Sequence, residues 1–245
     1  MMNLNGCTLI SIDTETTGLT PGYHEIYQVG AVVVDHNLEI AKDRMPLDLW
    51  MRPDHLDRID PKAMNLTKEN FFEKLAMGVS QERGIELFEY WVEKQVRPNG
   101  KKIMLMGQNI AQHDIPFLRT WLGNHYYNET FHHHVRDTML TAIHLNDVAD
   151  WLREVFPFPR VGLRNLMSYL GRECVELRQH DAVYDASCVP GIYKDQVRHY
   201  LNEMRKGHDS NGQTDHKVDS GKPYPDLPLR SETTESQQLQ PPASQ

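Results

Sequence analysis

The stretch LISIDTETTGLTPG, Leu9 to Gly22, decides how the chain is read. The apolar run before Asp13 predicts a buried strand over Thr8–Ile12. That strand runs straight into Asp13 and Glu15, spaced two apart. Side chains two apart on a strand share a face, so both carboxylates leave the sheet's end together while Thr14 points away. Adjacent carboxylates repel, and each raises the other's pKa unless positive charge lies between them. A lone D-x-E is equally the mark of a solvated strand end.

Outward from this stretch, Glu25–Val34 (EIYQVGAVVV) reads as a neighbouring strand after a PGYH turn, and Met45–Met51 as a third. PDHLDRIDPKAMNLT, residues 53–67, reads as a loop punctuated by Pro and Asp. Gln81–Gln95 places Ile85, Phe88, Trp91 and Val92 on one helical face, ended by Pro98 and Gly100. Lys102–Gly107 predicts another buried strand, Asp114–Leu122 a helix, and Phe131–Arg136 a strand. Asp137 or Thr138 is placed to cap the helix that follows. Leu163–Leu170 and Asp185–Met204 supply the last helices. This order predicts an α/β domain with helices packed on one mixed sheet.

The chain has 245 residues and a net charge of −8. From Arg205 to Gln245 there are five Lys/Arg and six Asp/Glu but no Ile, Phe, Trp or Cys, and polar residues dominate. A segment of this composition cannot bury enough apolar surface to offset its ordering entropy, so 205–245 is expected to be a disordered polar tail after a folded domain over 1–204. The folded part is itself acidic, at −7. That argues against a generic coating protein for nucleic acid, which would be basic, but not against an enzyme whose acidic site holds cations. Cys7, Cys174 and Cys188 are widely spaced and form no C-x-x-C pair, as in a reducing compartment. No signal peptide and no bilayer-length apolar run is visible, which predicts a soluble, cytoplasmic protein without a membrane partner.

The residues after the acidic pair sharpen the reading. DTETTG, Asp13–Gly18, resembles the first motif of the DEDDh 3′→5′ exonucleases, the family that includes proofreading subunits of replicative polymerases. That family also has an Asn followed by an Asp at a strand-to-helix junction, and GQNIAQHDIPFLRTWL supplies Asn109 and Asp114. Its last motif, H-x-A-x-x-D-A, is matched by His180, Ala182, Asp185 and Ala186. DPKAMNLT and RDTMLTA are similar to its connecting loop and its late strand-to-helix step. The resemblance covers roughly Leu9 to Tyr193. One departure stands out: four residues, IAQH, separate Asn109 from Asp114 where three are usual. The oligoribonuclease branch has the same longer spacing.

The resemblance implies a ribonuclease H-like fold, a mixed central sheet flanked by helices. It implies two Mg²⁺ or Mn²⁺ ions, and hard, all-oxygen ligands suit those ions rather than zinc. Asp13 would bridge both ions, Glu15 and Asp185 would each complete one side, and Asp114 would hold an ion. His180 would take the proton from the attacking water. Thr16, Gly18 and Asn109 would meet the substrate, Gly18 doing so by letting a terminal nucleotide approach the backbone. The implied partner is a single-stranded nucleic acid 3′ end, with a DNA polymerase subunit as a candidate protein partner. Three readings follow: an exonuclease on DNA, an exoribonuclease of RNase T or oligoribonuclease type, and an interaction module that keeps the fold without the chemistry.

Two further signals weigh less. In His132–His134, strand alternation allows at most His132 and His134 to chelate together, and an exposed strand edge explains the run as well. Arg160, Arg164, Arg172 and Arg178 could contact phosphates, or could line a solvated helix face.

Overall fold

The structure, a computed structural model, describes residues 6–66, 71–97, 101–175 and 180–210. A five-stranded sheet is built from β1 (Thr8–Thr16), β2 (Ile26–Val34), β3 (Leu47–Trp50), β4 (Ile103–Gly107) and β5 (Phe131–Asp137) in the order β3-β2-β1-β4-β5. β1 pairs with β2 and β2 with β3 in antiparallel fashion, whereas β4 runs parallel to both β1 and β5. This is the mixed α/β arrangement expected from the order of elements, and β1 lies at its centre.

The helices are α1 (Pro61–Leu66), α2 (Phe71–Met77), α3 (Gln81–Trp91), α4 (Asp114–Leu122), α5 (Asn124–Thr130), α6 (Thr138–Leu152), α7 (Leu163–Tyr169) and α8 (Ala182–Ser210). The alternation along β1 sorts them onto two faces. Ile10 and Ile12 join a core with Phe88 and Trp91 of α3 and Phe117 and Leu118 of α4. Leu9 packs the other way, with Val32 and Val34 of β2, Met104 and Met106 of β4 and Val189 of α8. Ser11, Asp13 and Glu15 share the parity of Leu9, and Thr14 that of Ile12.

Two expectations need correction. Residues 53–67 are not all loop: a 3₁₀ turn covers Leu56–Arg58, and α1 begins at Pro61. Proline suits the first helical position because its missing N–H has no partner there, and the Asp60 carboxylate accepts from the Lys62 N–H at 2.8 Å. The last helix starts before Asp185, at Ala182, because Asp181 caps it and accepts from the Val183 and Tyr184 N–H groups at 3.1 and 3.2 Å. It continues to Ser210. Contacts divide the chain into a unit Met1–Arg205 and a second, Lys206–Gln245. The expected tail falls mainly at 211–245, outside the described residues. Among the described residues, no helix is long and apolar enough to cross a membrane.

Candidate active site

Asp13 and Glu15 lie at the end of the central strand, on the face that α8 covers. β2 makes that close cover possible. Gly30 pairs with Asp13, and a Cβ on Gly30 would fall inside the backbone of Ala182 and Val183. Two positions along, buried Gln28 lies opposite Glu15. Its Oε1 accepts from the Ala182 N–H at 3.3 Å, while its Nε2 donates to Asp48 at 2.9 Å. The start of α8 is therefore seated on the sheet beside the acidic pair, and Asp185 sits in its first turn. Ligand atoms of Glu15, His180 and Asp185 all lie within 4.8 Å of one another.

Asp114 arrives from the opposite face. It is buried and begins α4. The Thr14 N–H and Oγ1 both donate to its Oδ1, at 2.8 and 2.7 Å. The threonine that strand alternation turns away from Asp13 and Glu15 is thus the one that anchors a third carboxylate. The β4–α4 loop is held in turn by Asp137, which caps α6 and accepts from the Asn109 N–H at 3.1 Å.

Crowding of like charges is the electrostatic signature. Burial, then Asp114, Glu15, Asp185 and Asp181 in that order, push Asp13 well above the ordinary carboxylate range. Burial, followed by Asp185, Asp114 and Asp181, raises Glu15 to about 8. Burial raises Asp114 to about 7, against the two Thr14 hydrogen bonds that favour its charged form. The register of β1 against β2 shifts between Glu15 and Thr16, and Tyr27, skipped there by the pairing, donates its phenol to Glu15.

The other expected positions are placed more locally. Thr16 Oγ1 donates to the Gly18 carbonyl at 2.7 Å. A Cβ on Gly18 would collide with the His24 ring, so the glycine makes room for that imidazole. Asn109 is in the left-handed region at φ 56°, which Asn tolerates better than most residues. His180 is exposed, also left-handed at φ 59°, and lines a cleft of about 290 Å³ with Arg164, Asn165 and Asp185. Arg172 is tied to α8 through Asp195, at 2.7 Å. Arg178 lies outside the described residues. Sequence reasoning missed Thr14, Tyr27, Gln28 and Gly30 as supports. Gln28 and Gly30 share a parity on the strand beside β1, but the partners that make these residues supports lie far away in the chain.

The RNase T exonuclease family model matches residues 10–193, most of the chain and all of this site. The chain belongs to that exonuclease family. Among curated proteins, this exonuclease domain is similar to an oligoribonuclease of Buchnera aphidicola, 26% identical over 117 residues, covering 45% of this chain and 60% of the relative. An oligoribonuclease of Actinobacillus pleuropneumoniae is 29% identical over 118 residues, covering 46% and 61%. A PolC-type DNA polymerase III of Mycoplasma genitalium is 24% identical over 190 residues, 78% of this chain but 11% of the polymerase. Among solved structures, exonuclease I from Methylocaldum szegediense superposes with a TM-score of 0.60 at 17% identity, covering 84% of this chain and 43% of the other. Exonuclease I of E. coli in complex with a dT13 oligonucleotide gives 0.59 at 19%, covering 83% and 45%. The chain thus spans less than two thirds of the length of these relatives, and the structural likeness establishes the fold.

Proposed function

We propose that this domain is a metal-dependent 3′→5′ exonuclease that hydrolyses the terminal phosphodiester of single-stranded DNA and releases nucleoside 5′-monophosphates. The observation that carries the reading is the convergence of Glu15, His180 and Asp185 within 4.8 Å beside Asp13 and Asp114. Four carboxylates alone would repel an anionic phosphodiester. Their all-oxygen donor set, crowded until burial and repulsion hold protons on it, fits hard divalent ions such as Mg²⁺ or Mn²⁺. Asp13, Glu15, Asp114 and Asp185 would hold them. When bound, two such ions supply charge stabilisation to the attacking and leaving oxygens of an in-line displacement.

The rest falls to the chain's own residues. His180, exposed at the mouth of the cleft, accepts the proton of the attacking water, a task suited to an imidazole. Tyr27 and Thr14 hold Glu15 and Asp114 in place through donated hydrogen bonds. Thr16, Gly18 and Asn109 line the approach of the terminal nucleotide. The domain comprises 1–204, with 205–245 dispensable for the reaction, and works in the cytoplasm, in keeping with three cysteines outside disulfides. Proofreading beside a DNA polymerase is supported by the likeness to the PolC-type enzyme.

The four-residue gap between Asn109 and Asp114, together with the oligoribonuclease relatives, favours a second reading, an exoribonuclease. Matched 5′-labelled DNA and RNA oligonucleotides decide between them, with a descending ladder expected from the preferred sugar. Immediate release of a labelled mononucleotide would mean the opposite polarity. Full hydrolysis in excess EDTA would sink the metal-dependent reading, and no hydrolysis of either sugar would favour the interaction module.

A further inference from the structure

Strand alternation allows only two of the three consecutive histidines on β5 to face the same way. The structure departs from alternation at this point. Ile103 pairs with Phe131 and Leu105 with Val135, so β4 advances two residues while β5 advances four. The surplus is taken up at His132–His134 as a bulge, and a bulge re-aims side chains. The three rings gather with centroids 4.4, 4.8 and 4.2 Å apart. One ligand nitrogen from each lies within 4.8 Å of the other two. β5 is the edge of the sheet, and His133 and His134 are exposed.

We propose that this bulge is a second metal site, separate from the carboxylate cluster and selective for a borderline-soft ion of the Zn²⁺ class. Imidazole suits zinc, copper and nickel, whereas Mg²⁺ takes oxygen. Three protein ligands on an exposed edge leave coordination positions open to water. Partial burial, then His133, His134, Lys102 and Arg136, hold His132 below the ordinary histidine value. The two neighbouring cations also weaken the pull on any metal ion, so recognition rests on nitrogen donors rather than on charge. His132 Nδ1 accepts the His134 N–H at 3.0 Å. Binding through this ring therefore breaks or reorients that bond, and water can take the N–H on so exposed a bulge. The strand ends at Asp137, which holds the Asn109 N–H and caps α6. An ion clamped on the bulge stiffens the edge from which that carboxylate is presented.

The test uses the full chain with Asp13→Asn, which disables the carboxylate cluster, in saturating Mg²⁺. Titration of Zn²⁺ against a chromophoric chelator should show one equivalent held, with an upward shift in melting temperature. On the same background His133→Ala/His134→Ala should lose that equivalent and the shift while keeping its circular dichroism spectrum. Each single variant should bind at least tenfold more weakly, since even outer-shell partners of a metal are worth roughly 10–100-fold. Co²⁺ gives a second readout, a ligand-field spectrum that should vanish in the double variant. The proposal is overturned if the Asp13→Asn chain holds no Zn²⁺, or if the double variant holds as much as its parent.

Discussion

Two clusters of metal-ligand chemistry share one sheet, and their positions explain their differences. The carboxylates stand at the end of β1, the central strand, with helices covering both faces. The histidines stand on β5, the edge, where nothing in the described sheet lies beyond them. At the centre, burial and mutual repulsion raise Asp13, Glu15 and Asp114, so the cluster stores unfavourable charge that a divalent ion relieves. At the edge, the imidazoles offer nitrogen donors rather than stored like charge. A central site is therefore costly to build and strong in its demand for a cation, whereas an edge site is cheap and selective by donor type alone.

The largest effect expected separates ligand from base at the centre. Asp185→Ala should impair Mn²⁺ binding at the carboxylates in calorimetry and reduce turnover to assay background, while Zn²⁺ binding at the histidine edge stays. His180→Ala should slow turnover roughly 10²–10⁴-fold, the usual contribution of positioned acid–base catalysis, with ion binding close to native. Equal Mn²⁺ affinity in the two variants would show that the last motif has been misplaced.

Next in size is Gly30→Ala. The added methyl meets the backbone of Ala182 and Val183, which cannot swing aside as a side chain would. Overpacking of this kind costs about 1–3 kcal/mol. Denaturant titration should show that loss, and Mn²⁺ affinity should fall because the start of α8 carries Asp185. A variant of native stability and affinity would break the claim that this contact seats the helix. The edge site should be unmoved by it.

Acidity separates the clusters in sign. Glu15 is held at about 8 in the fold against an ordinary 4.5, and Asp114 at about 7 against 3.8. In that interval the unfolded chain has lost protons that the folded chain keeps, so stability in chelator should fall as pH rises from about 5 to about 8. Binding requires both groups ionised, so apparent Mn²⁺ affinity should climb over the same window. Melting curves and calorimetry across that range check both, and a melting temperature in chelator that rises with pH would contradict the crowded-carboxylate picture. The smallest effect belongs to the tail. Truncation after Met204 should leave both clusters, the fold and turnover as they are, and loss of soluble expression would show that residues beyond Met204 support the domain.

Much of this was legible in the chain because it is local. Asp13 and Glu15 share a face through a period of two, and α4 starts at the expected Asp114. Asp137 caps α6 as one of two candidates. What was hidden depends on distant partners. The Thr14–Asp114 bond joins residues 100 apart, and Gln28 meets Ala182 across 154. No periodicity within a strand announces either. The histidine run does lie on an exposed edge, but its bulge was hidden for the same reason, since the register of β5 is set by β4 and not by the residues in it. α8 starts at Ala182 rather than Asp185 because Asp181 serves as its cap.

The seating of α8 has a consequence for how the protein is made. Asp13, Glu15 and Asp114 leave the ribosome long before Asp185, and N-terminal segments are free to fold as they emerge. Until the Gln28–Gly30 seat receives the start of α8, the acids have neither their fourth member nor His180 beside them. A nascent or prematurely terminated chain that stops short of that helix can carry the first motif intact and yet cut nothing. The order of synthesis thus acts as a safety catch, released by the last helix of the domain.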